Sequence, residues 1–222
     1  VILMIQDSKG FDYIEKEMKF MLPPFAKWSP DDWKSKGEES ADIVKQQLGW
    51  DITDFGTEKF EKYGLLLFTI RNGSIEELSK PDGKTYAEKA MIVKEEQITP
   101  IHFHSQKMED IINRGGGELV VQLWNSTPDD ELDLINDVIV SIDSIKRTVK
   151  AGGTISLTPG ESVCLTQRLY HKFWGKKGKG TVFVGEVSRV NDDYTDNFFY
   201  GGVGRFADIE EDAEPLHLLY GD

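Results

Sequence analysis

Pro100-Ile-His102-Phe-His104-Ser-Gln-Lys107-Met-Glu109 is the stretch of this chain in which metal-binding side chains lie closest together. It holds two of the four histidines and runs directly into Asp110-Ile-Ile-Asn-Arg114-Gly-Gly-Gly117. Successive side chains of a strand point to opposite faces, so His102 and His104 share one face and Phe103 takes the other. Glu109 lies an odd number of residues beyond His104, and a continuous strand would aim it away from the imidazoles. A turn or bulge at Ser105-Gln106 restores the register, putting Lys107 and Glu109 on the histidine side. The competing account is a pair of surface histidines in a polar strand.

The flanking pattern reads as β-structure. Gly64-Leu-Leu-Leu-Phe-Thr-Ile70 is a strand candidate closed by the turn pair Asn72-Gly73. Short candidates follow at 91–93, 99–104, 119–124, 138–142, 154–157, 163–166, 171–174 and 181–187, separated by Gly, Asn, Asp and Pro. Many short strands at this spacing predict a barrel or sandwich. Upstream, Ile14, Met18, Phe20 and Met21 fall near helical spacing and Pro23-Pro24 stops the element. Ser29-Pro30-Asp31-Asp32 is a helix start leading through Trp33, and residues 39–48 predict a third helix. The expected organisation is one structural domain: a helical segment over 1–54 packed on a β-barrel over 55–222. The acidic stretch from Phe206 to Asp222 is expected to wrap the surface.

Composition sets outer bounds. The 222 residues are 39% apolar and 29% charged, enough to fill one sizeable core. A formal charge of −13 repels phosphate backbones and anionic headgroups, so neither nucleic acid nor a membrane is an expected partner. Cys164 is the only cysteine and pairs with nothing within the chain; it reads as a small packed side chain. Val1 to Ser8 lacks the pattern of a signal peptide, and the longest apolar run is too short to cross a bilayer. A cytoplasmic protein is the expectation. His217, flanked by apolar residues, reads as structural. Lys172, Lys176, Lys177 and Lys179 read as a solvated hairpin, with an anion-binding loop as the alternative.

His-x-His, four residues, Glu109, six residues, Gly116 resembles the first motif of the cupins, with Glu96 where that motif has a leading Gly. Gly153-Thr-Ile-Ser-Leu-Thr-Pro159-Gly160 resembles the opening of the second, which ends in a ligand histidine. His171 fills that place, farther from Pro159 than in the common pattern, as a longer hairpin would allow. The fold implied is mainly β, a cupin-type jelly-roll barrel with N-terminal helices. The ligand set implied is His102, His104, Glu109 and His171. Three imidazoles and a carboxylate suit a divalent ion: Mn2+, Fe2+, Co2+, Ni2+ or Zn2+.

Lys107-Met-Glu-Asp-Ile-Ile-Asn-Arg-Gly-Gly-Gly117 further resembles the D-lyxose isomerase family of cupin enzymes. So do Gly160-Glu-Ser-Val-Cys-Leu-Thr166 before Tyr170-His171, and Glu186-Val-Ser-Arg-Val-Asn-Asp-Asp193 before Thr195-Asp-Asn197. The resemblance spans roughly residues 60 to 215. It implies a monosaccharide substrate and aldose–ketose conversion, D-lyxose to D-xylulose and D-mannose to D-fructose, with Mn2+ preferred. Glu186, in an apolar strand where burial would raise its pKa, is the expected proton shuttle through a cis-enediol. Lys107 is the expected partner in catalysis, and Asp196 and Arg205 are candidates for sugar hydroxyls. An Fe2+ dioxygenase and a non-catalytic sugar-binding cupin are the alternatives. Cupins often pair edge strands, so a homodimer is expected.

Overall fold

A computed structural model of the chain describes residues 10–206 and 216–220. The first eight residues and much of the acidic tail, on which two sequence expectations fall, lie outside the described residues. Helical structure near the N-terminus is short. Tyr13–Glu17 forms a π-helical turn and Pro24–Lys27 a 3-10 turn. Helix α1, Pro30–Lys36, starts at Ser29 with a capping box: the Ser29 hydroxyl accepts from Asp32 N at 3.2 Å, and the Asp32 carboxylate accepts from Ser29 N at 2.9 Å. The helix expected over 39–48 is instead a 3-10 turn, Gly37–Ser40, followed by α2, Ala41–Lys45. Residues Gly49–Thr53 then form strand β1, so the sheet begins ahead of the change of pattern at Phe55.

Thirteen further strands follow: β2 Leu65–Arg71, β3 Tyr86–Val93, β4 Ile98–His104, β5 Glu109–Gly116, β6 Leu119–Ser126, β7 Leu132–Asp133, β8 Val138–Ile142, β9 Ile145–Val149, β10 Thr154–Leu157, β11 Ser162–Leu165, β12 Leu169–Gly175, β13 Val182–Arg189 and β14 Asn197–Phe199. They build an eight-stranded sheet, β1-β2-β3-β13-β5-β11-β8-β9, and a six-stranded sheet, β10-β6-β12-β4-β14, with β7 beside β6. The ladders between these strands are antiparallel, and consecutive strands repeatedly change sheet. This is a jelly-roll barrel of the cupin type.

The apolar run of β2 has a simple cause. Leu65 and Leu67 face the barrel core with Met91, Val93, Val182 and Val184. Leu66, Phe68 and Ile70 face the other way, under Ile14, Leu22 and Ala26 of the N-terminal segment. With both faces covered, the strand shows no polar alternation. The N-terminal segment is therefore an outer layer on the larger sheet. Gly116 lets β5 lie close to the start of β13: its φ is +81°, and a Cβ there would meet Thr181 O at 2.2 Å.

Three expected turns take another form in the structure. Asn72-Gly73 closes no tight turn; Asn72 is buried, and the chain runs on to residue 85 before β3 returns beside β2. The chain between β11 and β12 crosses from the larger sheet to the smaller at residues 166–168, which accounts for the long spacing from Pro159 to His171. The lysine-rich segment 176–180 is likewise a crossing. Its Lys176 and Lys179 pair with Glu118 and Lys177 with Glu96, while the Gly178 and Gly180 amides donate to Glu95. An anion-binding loop there is already filled by the protein's own carboxylate.

Candidate active site

β4 carries His102 and His104 on its inner face, and Phe103 on the outer face stacks on Phe198 with rings 4.9 Å apart and 9° from parallel. His171 on β12 is the register partner of His102, and the two ring centroids are 4.1 Å apart. One ligand atom from each of the three imidazoles lies within 4.8 Å of the others, and all three residues are buried. His102 Nδ1 lies 2.8 Å from the Pro100 carbonyl and His171 Nδ1 lies 3.0 Å from that of Leu169. Donation there leaves each Nε2 with its lone pair. Burial, reinforced by the neighbouring imidazoles, holds His102 well below its ordinary pKa; burial and Lys107 lower His104. Both are thus kept neutral, the form that coordinates.

Of the turn or bulge expected at Ser105-Gln106, the chain makes the turn: it bends at these two residues and changes sheet. β4 ends at His104 in the smaller sheet and β5 starts at Glu109 in the larger one. Residues 105–108 cross between the sheets, so Glu109 faces the histidines from the opposite wall. Its Oε2 is 3.3 Å from His104 Nε2 and its Oε1 is 3.3 Å from His171 Nε2. Lys107 Nζ lies 2.9 Å from Oε2. Burial alone would push the Glu109 carboxyl up, but Lys107 and His104 overcome it and hold it well below the usual range.

The donor set fits a divalent ion. Glu109 Oε2 and His171 Nε2 are buried and have no well-directed hydrogen bond among the described residues; His171 Nε2 faces Glu109 Oε1 at 3.3 Å, and Oε2 has the Lys107 ion pair at 2.9 Å. Such orphaned lone pairs are costly unless something electrophilic sits between them. Charge points the same way. In the ion-paired network behind the histidines, Asp51, Glu109, Glu186 and Asp193 face Lys89, Lys107 and Arg205, four carboxylates against three cations. With neutral imidazoles, the excess is one negative charge, which a bound cation offsets.

A pocket of about 440 Å3, counting space open to solvent, meets these groups. His102, His104, Lys107, Glu109, Glu186, Asp193, Asn197 and Arg205 line its polar side, and Phe55, Leu65, Leu67, Met91 and Phe173 its apolar side. Glu186 Oε1 accepts from Lys107 Nζ at 2.8 Å. Arg205 Nη2 pairs with Asp51 and with Asp193, the latter at 2.9 Å, while its buried Nη1 has no hydrogen-bond partner among the described residues. Asp196 lies elsewhere than expected. Its Oδ1 accepts from Gln106 N at 2.6 Å and its Oδ2 from Lys107 N at 3.0 Å, so both oxygens are turned to the crossing rather than to the pocket.

A profile of the D-lyxose isomerase family matches residues 4–222. The chain belongs to the D-lyxose isomerase family. It is 50% identical over 199 residues to the D-lyxose/D-mannose isomerase of Serratia proteamaculans, covering 89% of this chain and 86% of that protein. Identity to the enzyme of the same name from Escherichia coli O157:H7 is 47%, with the same coverage. An L-ribose isomerase of Cellulomonas parahominis, solved with L-psicose, shares the fold with a TM-score of 0.56 at 13% identity, over 89% of this chain and 90% of that one. This D-lyxose isomerase family chain is thus a sugar isomerase of the aldose–ketose class. The dioxygenase and the non-catalytic alternatives have no counterpart among these relatives.

Six polar residues in or behind the pocket were given no role by sequence reading: Asp51, Lys89, Thr99, Asn191, Asp193 and Asn197. A signal for Lys89 exists, since a lone lysine sits at an inward position of the apolar run Ala87-Glu-Lys-Ala-Met-Ile-Val93, where it is buried. Asp51 lay in a segment read as helical, and Asn191 and Asp193 lay in a family-like block without roles. The remaining sequence candidates have ordinary surroundings. His217 Nδ1 lies 3.2 Å from the Trp28 carbonyl. Cys164, half-buried beside Asp110, has its thiol pushed up to about 11, chiefly by burial.

Proposed function

We propose that the chain interconverts D-lyxose with D-xylulose and D-mannose with D-fructose through a cis-enediol, using a divalent ion at His102, His104, Glu109 and His171. Mn2+ is the ion we assign. The site's neighbours support the reading most directly: the buried Lys107–Glu186 ion pair lines the same pocket as the imidazole cluster. When bound, the ion polarises the carbonyl and offsets charge on the sugar's O1 and O2.

The protein's own groups account for the proton movements. Glu186 takes the C2 proton of the open-chain aldose and returns it to C1, so one carboxylate serves both steps on one face of the sugar. A second proton passes from O2 to O1. Lys107, its pKa raised by Glu109 and Glu186 despite burial, stays cationic beside those oxygens and steadies the charge that forms there. Arg205 Nη1 offers a donor to a distal hydroxyl. Asp196, in place of the sugar contact first expected, holds the crossing that carries Lys107. The apolar wall keeps bulk water from the enediol. A cytoplasmic homodimer completes the proposal; among the described residues no helix is long and apolar enough to cross a membrane.

The test uses chelator-stripped protein reloaded with Mn2+ and incubated with a panel of pentoses and hexoses. Ketose should appear from D-lyxose and D-mannose, with part of a C2 label carried to C1. Glu186→Gln should retain its metal and lose roughly two to four orders of magnitude in turnover. Absence of ketose from every aldose, with any of the candidate ions, would overturn the proposal. Near-normal turnover in Glu186→Gln would move the shuttle to another residue.

A further inference from the structure

Asn191 does not line the pocket, yet it sits where two buried ammonium groups meet. Its single side-chain oxygen accepts from Lys107 Nζ at 3.1 Å and from Lys89 Nζ at 2.8 Å. All three residues are buried. A carboxamide oxygen has two lone pairs, so Oδ1 is saturated by the two lysines. Lys107 Nζ donates to Glu186 Oε1 at 2.8 Å as well as to Asn191, and it is ion-paired with Glu109 Oε2 at 2.9 Å, so Asn191 supplies one of its two directed hydrogen bonds.

Asn191 is itself held from outside the site. Asn72 Oδ1 accepts from Asn191 N at 2.9 Å, and Asn72 Nδ2 donates to Asn191 O at 3.0 Å. This reciprocal clamp joins residues 119 positions apart and explains why Asn72, a turn residue by composition, is buried. We infer that the Asn72–Asn191 clamp is the positioning device for the Lys107 ammonium: it sets where that charge stands relative to Glu186 and to the reacting oxygens. Asn191 is a positioning residue, acting through Lys107. The inference rests on the proposed role of Lys107 at the reacting centre.

A double-mutant cycle tests it, with kcat and KM for D-lyxose and metal content measured on the Mn2+-loaded protein. Asn191→Leu keeps the branched shape, though it is bulkier, and removes the acceptor. It should lower kcat about ten- to a hundredfold, the worth of one hydrogen bond to a charged group, with KM and metal content within about threefold of the parent. Asn72→Ala, farther from the site, should give a smaller loss of the same kind. Lys107→Met should lower kcat strongly, and adding Asn191→Leu to it should cost less than about threefold more, because the group being positioned is gone. Should Asn191→Leu not fold, Asn72→Ala takes its place in the cycle. Additive losses, or a rise in KM with kcat unchanged, would overturn the positioning role and leave the role of Lys107 standing. Unchanged kcat in Lys107→Met would instead remove the premise and the inference with it.

Discussion

Arg205 lowers two carboxyls whose net shifts nevertheless run in opposite directions. Burial pushes Asp51 up, and Arg205 offsets this only in part while Asp193 repels it. Burial acts on Asp193 as well, but Arg205, Lys89 and Lys107 together hold that carboxyl well below its usual range. Lys89 acts on both, and the added cation at Asp193 is Lys107. A carboxyl held below its unfolded value, about 3.9 for Asp, stabilises the fold fully above that value, and the contribution is lost as pH falls toward the folded one. Chelator-treated protein should therefore lose stability to urea below about pH 4, and Asp193→Asn should lose it less steeply. Equal acid slopes for the two proteins would show that this carboxylate is not linked to folding.

At the scale of elements, the four residues between β4 and β5 decide whether Glu109 faces the three imidazoles. They carry the chain from one wall of the barrel to the other, and Asp196, just ahead of β14, holds them by the Gln106 and Lys107 amides. β14 in turn pairs with β4 through Asn197 and His104. Asp196→Ala would leave two amides without their acceptor, each costing about 1–3 kcal/mol if it stays buried. The expected outcome is a loss of both metal content and kcat, with Asp196→Asn intermediate because one acceptor remains. If the alanine variant keeps its metal and kcat and only KM rises, Asp196 touches the sugar after all. The helix start at Ser29 and the His-x-His parity were legible in the sequence because both are set by neighbours a few residues away. The crossing was not, because a bulge and a change of sheet both bring Glu109 back to the histidine side.

Across the whole molecule, the N-terminal segment is part of the barrel's stability rather than an appendage. Phe68, fully buried, packs its ring 4.9 Å from Trp50 and 5.3 Å from Phe25, joining two strands to the segment above them. Phe68→Ala should cost about 3–5 kcal/mol in urea unfolding while the folded protein keeps its turnover, since Phe68 faces away from the pocket. A cost near zero would mean that the outer layer is only loosely attached. The sequence by itself determined the β class, the inward pair His102 and His104, and the chemistry of the ligands, because alternation and donor type are local properties. The blocks around Glu109, Thr166 and Glu186 were enough to name the family. Tertiary structure alone decided which sheet each strand joins, that Asp196 serves the backbone, and that Asn72, Lys89 and Asn191 stand behind Lys107. Those outcomes depend on contacts between segments about a hundred residues apart, and strand order, not local pattern, brings such segments together.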